Sequence, residues 1–482
     1  MTLLLVQAGL AAAADANWLD DQVAQDLATF GVPGAAVVEI RDGSPAHAVY
    51  AGFADLERGV PVSSSTVFNV GSVSKSLTAY GVVLLDQRGV LRLDSPVGAY
   101  LPGWRFPPTE YDAQQVTIER ILSHTAGLSM WYLPAPPDPT WSLDRLLKEG
   151  RDPQTGGPFT IVAPPGTEVN YSGGGYALLQ LAIERVTGTR FEDWAAQSVF
   201  GPLGMTHTRF VSWDVAASTM ARGYDGWREP VQPEHQLALA EGGLTTTAED
   251  LAHWVAEFCE GLAGAPSGPL DAAHLARMVV PMPGTQGTHG LGVVVTALPD
   301  GRLAVWHSGT NPGWDAMYYI VPAARDGIVV LTNGSEAGRY LAKSTICAWQ
   351  RVENGVIDGE MCPPSTYAAV RGAYLRDGID GAVARYRQIR RDHELDWNRH
   401  WRELNTLGYD LLKRRAIPDA VRIFKLNVED HRETWEVYDS LGDGLERAGR
   451  RVEAHAAYIR AIKLDPEHRS RAAADRTARP SF

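Results

Sequence analysis

A serine and a lysine stand three residues apart in Phe68-Asn69-Val70-Gly71-Ser72-Val73-Ser74-Lys75-Ser76-Leu77-Thr78-Ala79-Tyr80, where an apolar-periodic run begins. On a helix starting near Gly71, positions i and i+3 share a face, so the Lys75 amine reaches the Ser72 hydroxyl. Ser72 reads as a nucleophile and Lys75 as its base, since burial drives an amine toward its neutral form. The unpaired N–H groups of the first helical turn lie at the same end, where an oxyanion would develop. A Ser-x-x-Lys tetrad also arises by chance, but composition argues against chance here. The chain has six lysines against 38 arginines, and only Lys75 has a serine three residues before it. Positive charge is written elsewhere as arginine and at this point as the cation able to titrate.

Three further stretches carry usable chemistry. Pro164-Pro165-Gly166-Thr167-Glu168-Val169-Asn170-Tyr171-Ser172-Gly173-Gly174-Gly175-Tyr176 is a Pro/Gly turn that holds Tyr171 on a loop before a helix. A tyrosine beside a buried lysine can relay a proton between nucleophile and leaving group. The glycines form no phosphate loop, because the Gly-Lys-Ser/Thr ending is missing. His307-Ser308-Gly309-Thr310 closes a predicted strand. Gly309 lets substrate approach the strand edge, and the Thr310 N–H supplies a second oxyanion donor beside that of Ser72. Ser123-His124-Thr125-Ala126-Gly127-Leu128 reads as a turn shaping the site wall. His124 has no second histidine at ligand spacing, so neither a metal nor a cofactor is expected.

Positioning these residues takes strands from both chain ends. After a helix over 18–30, the runs 35–40 and 47–53 read as a hairpin joined at Arg41-Asp42-Gly43-Ser44. The Ser72 helix runs to about Arg88, and the chain to about residue 280 is mainly helix and loop. Strand patterns return at 290–298, 303–307, 317–321 and 327–332. The expected class is α+β: one antiparallel sheet built from both chain ends, a helical lobe packed on it, and a site in the cleft between sheet and lobe.

Taken in order, Ser-Val-Ser-Lys at 72–75, Ser-His-Thr-Ala-Gly-Leu at 123–128, Tyr-Ser-Gly at 171–173, Pro-Leu-Gly-Met at 202–205, Gly-Gly-Leu at 242–244 and His-Ser-Gly-Thr at 307–310 resemble the serine β-lactamase-like superfamily over residues 20–350. That superfamily holds class C β-lactamases, D-Ala-D-Ala carboxypeptidases, D-aminopeptidases and related esterases. The resemblance implies a β-lactamase/transpeptidase-like fold and an acyl-enzyme on Ser72. Lys75 and Tyr171 would move the proton, and His307, Ser308, Gly309 and Gly173 would bind substrate. Two positions depart from the pattern. Gly173 stands where Tyr-x-Asn would place an amide, and His307 stands where Lys-Thr-Gly would place a permanent cation. Both changes remove recognition groups and leave the nucleophile intact. They favour a small ester or a D-amino acid or peptide amide as substrate over a β-lactam or a D,D-carboxypeptidase substrate. An acylable, non-catalytic sensor or scaffold is the reading from another class.

Beyond Pro363-Pro364 the chain becomes Arg-rich. Trp401/Trp435, Leu407-Gly408/Leu441-Gly442, Ala420/Ala454 and Phe424/Tyr458 repeat at 34 residues, with Pro466 closing the second copy. This resembles tetratricopeptide repeats and implies a small all-α repeat domain over 363–482, with a degenerate unit in 374–391 and a protein partner as its expected ligand. Residues from Arg371 carry 23 basic against 19 acidic side chains, while residues 1–370 carry 21 against 38. That break marks a domain boundary. It shows no nucleic-acid footprint, and no apolar run is long enough to span a bilayer. The hydrolase domain is placed at 18–362. Residues 1–17 read either as the end of a secretory leader or as an ordinary amphipathic start, so export and a cytoplasmic location stand equally open. Of Cys259, Cys347 and Cys362, the last two have the option of pairing outside the cytosol, with buried thiols the favoured reading.

Overall fold

The computed structural model describes residues 18–465 and Ala474, apart from 131, 137, 139, 154, 213, 216–219, 360–361, 363–364 and 392–396. The leader expected at 1–17 and the closing Pro466 lie outside the described residues. The chain divides into two compact units, one of Met1–Leu27 with Val32–Asp358 and one of Ala28–Gly31 with Gly359–Phe482.

The first unit is built on a seven-stranded antiparallel sheet. Its strands are β1 (Gly34–Arg41), β2 (Ser44–Asp55), β3 (Val60–Pro61), β7 (Val294–Ala297), β8 (Leu303–Asn311), β9 (Trp314–Val321) and β10 (Asp326–Thr332). A second sheet pairs β4 (Phe68–Asn69), β6 (Leu244–Thr246) and β5 (Arg209–Phe210), in the order β4-β6-β5. The large sheet runs β3-β2-β1-β10-β9-β8-β7, so β1 and β10, from opposite chain ends, lie side by side with Ala35 opposite Thr332. All of Gly34–Ile40 is buried. That pattern needs cover on both faces. Helix Ala248–Leu262 packs on β1 and β10, and helix Ala337–Trp349 packs on β9 and β10.

Boundaries near the site differ from the sequence expectation in three places. Strand β7 is shorter than 290–298, because Gly292 turns the chain at φ +73° before Val294. Strand β8 runs on to Asn311, so His307–Thr310 lies within a strand paired to β9 and does not end one. The helix after Tyr171 starts at Gly173 itself: Ser172 Oγ accepts the Gly175 N–H at 3.0 Å and caps it. A Cβ at Gly174 would stand 2.6 Å from Phe159, and one at Gly175 would stand 3.0 Å from Ile121. The triple glycine is therefore a packing surface in the first helical turn. Cys347 and Cys362 are disulfide-bonded, which corrects the thiol reading, and Cys259 is a free buried thiol.

The second unit contains helices Thr366–Arg391, Arg402–Lys413, Ile417–Asp430, Trp435–Arg447 and Arg451–Leu464. The first is broken at Gly378, at φ 67° and ψ −161°. The 34-residue repeat has a direct structural cause. A Cβ at Gly408 would stand 2.6 Å from Phe424 Cζ, and one at Gly442 would stand 2.6 Å from Tyr458 Cδ1, so each helix pair closes by seating an aromatic ring on a glycine.

Candidate active site

Ser72 immediately precedes helix Val73–Gln87 in helical conformation, and its side chain makes no capping bond. The chain enters the helix through tight i→i−3 bonds: Val73 N–H to Val70 O at 3.1 Å, Ser74 N–H to Gly71 O at 3.0 Å and Lys75 N–H to Ser72 O at 2.9 Å. Lys75 is 2% exposed. Its Nζ donates to Ser72 Oγ at 3.0 Å and to the Glu241 carbonyl at 2.6 Å. The Tyr171 and Tyr176 rings lie 5.0 and 5.6 Å from the same nitrogen.

Buried polar side chains fix this turn in place. Asn69 Oδ1 accepts the Gly71 N–H at 2.9 Å and the Asn311 Nδ2 at 2.6 Å, and Asn311 Nδ2 also donates to Gly242 O at 2.9 Å. Ser74 Oγ donates to Gly71 O at 2.5 Å and accepts the Leu244 N–H at 3.0 Å. Strands β4, β6 and β8 are thereby tied to the Ser72 turn. Two glycines permit the approach. A Cβ on Gly309 would lie 2.6 Å from Ser72 N and 2.8 Å from Val73 N, and one on Gly71 would lie 2.6 Å from Thr310 N. The backbones of Ser72 and Thr310, the two expected oxyanion donors, are brought together only because neither glycine carries a side chain.

Tyr171 is held by His124. The two rings stack with centroids 4.0 Å apart, and His124 Nδ1 accepts the Ser172 N–H at 3.1 Å. The His124 proton is therefore on Nε2. Burial, with Lys75 beside it, holds its pKa well below the ordinary histidine value. His124 itself stands at φ +60°, and its carbonyl accepts the Asn170 N–H at 2.7 Å. The turn read as site wall thus positions the residue next to the lysine.

His307 is 7% exposed, and its Nδ1 donates to the Ser308 carbonyl at 2.6 Å. Burial, then the charge of Lys75, depresses its pKa to about 3, so the ring is neutral over the physiological range. A cation stands elsewhere. Arg339 Nη2 donates to Thr310 Oγ1 at 3.0 Å, its side chain is half exposed, and Thr310 Oγ1 in turn donates to the buried Asp315. Burial raises the Asp315 carboxyl to about 7.

A cavity of about 480 Å³ opens over Ser72, Lys75, Tyr171 and Thr310, which gathers the expected catalytic and oxyanion residues at one place. Gly173, His307, Ser308 and Gly309 are not among its described lining residues. Gly173 is buried in the helix start, and Gly309 packs on the Ser72 turn. The sequence reading missed Glu241, Gln236, Asn311 and Arg339, which do line the cavity. Glu241 precedes the recognised Gly-Gly-Leu, and that adjacency was the available signal. Burial lifts its carboxyl to about 7 against the opposing charge of Lys75, and its Oε1 accepts the Leu133 N–H at 3.2 Å. Among the described residues, no group of three or more His, Cys, Asp or Glu is arranged to hold a metal ion.

Residues 19–346 match the Beta-lactamase family. The chain belongs to that family. It is 29% identical over 333 residues to penicillin-binding protein 4 of Amycolatopsis lactamdurans, covering 64% of this chain and 83% of the relative. The octameric penicillin-binding protein homologue from Pyrococcus abyssi superposes with a TM-score of 0.58 at 25% identity, over 70% of this chain and 78% of that one. The D-alanine carboxypeptidase AmpC from Burkholderia cenocepacia shares the fold, with a TM-score of 0.55 at 23% identity, over 68% of this chain and 99% of that one. This β-lactamase-like protein therefore combines a penicillin-binding-protein type of hydrolase fold with a C-terminal unit of paired helices, and its family is one of serine hydrolases.

Proposed function

We propose that the protein works through an acyl-enzyme on Ser72, with a small ester or a D-amino acid or peptide amide as substrate. The reading is carried by the 3.0 Å hydrogen bond between Lys75 Nζ and Ser72 Oγ, set in a cavity that also holds Tyr171 and Thr310. Ser72 Oγ attacks the carbonyl carbon and its proton passes to the Lys75–Tyr171 pair. The N–H groups of Ser72 and Thr310 receive the oxyanion. The leaving alkoxide or amine takes the proton from Tyr171. Water then attacks the acyl carbon, returns a proton to Ser72 Oγ and releases the acid.

The neutral His307 leaves the receipt of a substrate carboxylate to Arg339, whose exposed guanidinium stands beside Thr310. Arg339 and the name of the Amycolatopsis relative favour a second reading, a D,D-carboxypeptidase or β-lactamase. The paired C-terminal helices are proposed to serve a protein partner. A fluorophosphonate probe is expected to label Ser72, and Ser72→Ala to abolish both labelling and nitrophenyl butyrate hydrolysis. Hydrolysis that survives in Ser72→Ala would refute the mechanism, and labelling without turnover would favour the sensor reading. A D-alanyl anilide, a D-Ala-D-Ala peptide and a chromogenic cephalosporin, compared with the butyrate, would sort the substrate classes.

A further inference from the structure

Asp315 is 2% exposed and is not among the described lining residues of the catalytic cavity, yet it joins two that are, Thr310 and Arg339. It stands directly opposite Thr310 in the pairing of β8 with β9, and opposite Thr332 in the pairing of β9 with β10. Thr310 Oγ1 donates to its Oδ1, and its main-chain carbonyl accepts the Thr332 hydroxyl at 3.0 Å. Arg339 arrives from helix Ala337–Trp349. Its Nη2 donates to Thr310 Oγ1 at 3.0 Å, and its Nε lies 3.8 Å from Asp315 Oδ1. One buried carboxyl is thus linked both to the residue whose N–H faces the proposed oxyanion and to the half-exposed cation of the cavity wall.

Packing fixes this carboxyl in place. A Cβ at Gly338 would stand 2.9 Å from Asp315 Cβ, so the start of the helix is pressed directly on the strand. Asp315 Oδ2 is buried without a hydrogen-bond partner. The negative charge is therefore met by Arg339 and by the peptide N–H groups of Glu336 and Arg339 at the helix start. Burial outweighs these contributions and raises the carboxyl to about 7. The charged side chains on the helix side are Glu336, Arg339 and, one turn further along, Lys343, while the flanking strands present the hydroxyls of Thr310 and Thr332.

We infer that Asp315 is a positioning residue, which holds Arg339 against Thr310 and by its charge sets how strongly Arg339 receives a substrate carboxylate. A guanidinium has five N–H donors, so the bond to Thr310 leaves others for a ligand. An arginine tied along one edge presents its other edge in a fixed orientation and loses less freedom on binding. The carboxyl that orients the cation also competes for it. A substrate carboxylate on Arg339 would bring a second negative charge to the one already beneath it, so it is held more weakly when Asp315 is ionised than when Asp315 is protonated. Binding of that carboxylate therefore favours protonated Asp315, and it weakens as pH rises through about 7. The inference rests on Arg339 as the carboxylate receptor and adds what governs that receptor's preference for charge.

The test uses the full-length protein and compares nitrophenyl butyrate with two charged esters. Nitrophenyl hydrogen glutarate carries its carboxylate on the acyl side, and 3-carboxyphenyl butyrate carries it on the leaving group. Arg339→Ala is expected to lower kcat/KM for at least one charged ester, relative to the neutral one, by about tenfold, and that ester reports on the site. Asp315→Asn keeps an acceptor for the Thr310 hydroxyl and removes the charge. At pH 8 it is expected to raise the charged-over-neutral ratio about fivefold or more, through KM. In the parent protein that ratio is expected to fall from pH 6 to pH 8, and in Asp315→Asn to stay level. A slope that persists in the variant would belong to Glu241, which titrates in the same range on the same cavity wall, and would overturn the inference. Asp315→Ser serves the same comparison if the asparagine variant does not fold. An unchanged ratio, or equal losses for charged and neutral esters, would leave Asp315 a purely structural residue and overturn the inference while Arg339 stands. No response of either charged ester to Arg339→Ala would overturn the receptor reading and the inference with it.

Discussion

Replacing Gly309 by alanine tests the geometry on which the proposed oxyanion site depends. Gly309 is not in the left-handed region, so the change brings no backbone penalty and acts through sterics alone. Its new methyl would stand 2.0 Å from Val70 O, 2.6 Å from Ser72 N and 2.8 Å from Val73 N, where ordinary contact begins at 3.4 Å. These are backbone atoms at the start of a buried helix and cannot rotate away as a side-chain tip would. The strand and the Ser72 turn must separate by about 1.4 Å, set by Val70 O, to restore van der Waals contact. A misplacement of about 1 Å lowers a rate about 100-fold, and loss of one oxyanion donor lowers it about 100- to 1,000-fold. The expected result is therefore a drop in kcat of about two to three orders of magnitude, with the crowding costing about 1–3 kcal/mol of stability. Nitrophenyl butyrate kinetics and the rate of fluorophosphonate labelling measure the first effect, and thermal unfolding with near-UV circular dichroism measures the second. A folded Gly309→Ala protein retaining kcat within about threefold would show that the Ser72–Thr310 juxtaposition is not the oxyanion site.

Other outcomes follow from the same geometry. His307→Gln should leave the pH profile of kcat/KM between about pH 5 and 8 unshifted, because burial and Lys75 keep His307 neutral above about pH 3; a displaced limb in that range would contradict this. Arg339→Ala should lower the ratio of kcat/KM for carboxylate-bearing over neutral substrates by about tenfold or more, the worth of a charge-assisted hydrogen bond, and an unchanged ratio would remove Arg339 from substrate recognition. His124→Ala should cut kcat by freeing the Tyr171 ring from its stack at 4.0 Å while leaving fluorophosphonate access to Ser72; a loss confined to KM would count against that role. Asp26, which accepts from Ser344 and Thr345 at 2.8 Å each, is raised by burial to about 6 from 3.8. A raised carboxyl favours the folded state while protonated, so the stability it contributes is full below about pH 4 and is lost as pH rises to about 6. Asp26→Asn should therefore gain over the parent protein across that interval, by up to about 3 kcal/mol, and stay level above it. Chemical denaturation of both proteins at pH 4, 5, 6 and 7.5 reads this directly, and a gain that does not grow with pH would refute it.

The Ser72–Lys75 pair was legible because its geometry is local. Three residues along one helix place Lys75 against Ser72 whatever the rest of the chain does, and the neighbouring Pro/Gly punctuation marks where Tyr171 and Thr310 are presented. The two-ended sheet was also legible, since strand patterns at residues 34–55 and 294–332 flank a helical middle and the two groups pair through β1 and β10. The 34-residue repeat was legible for the same kind of reason: a glycine under an aromatic ring recurs once per helix pair.

What surrounds the pair was decided by tertiary structure. Asn69 meets Asn311 across 242 residues of sequence, and Lys75 meets the Glu241 carbonyl across 166. No local pattern encodes such meetings. Gly309 reads in sequence as room for substrate, whereas folding fills that room with the Ser72 turn. His307 reads as a titratable group, whereas burial makes it a neutral one. Gly173 reads as a missing amide, whereas folding buries it in the first turn of a helix, outside the described lining of the cavity. Spacing along the chain determined which atoms are able to react. Burial and long-range contact decided which of them carry charge, which line the cavity and which hold the others in place.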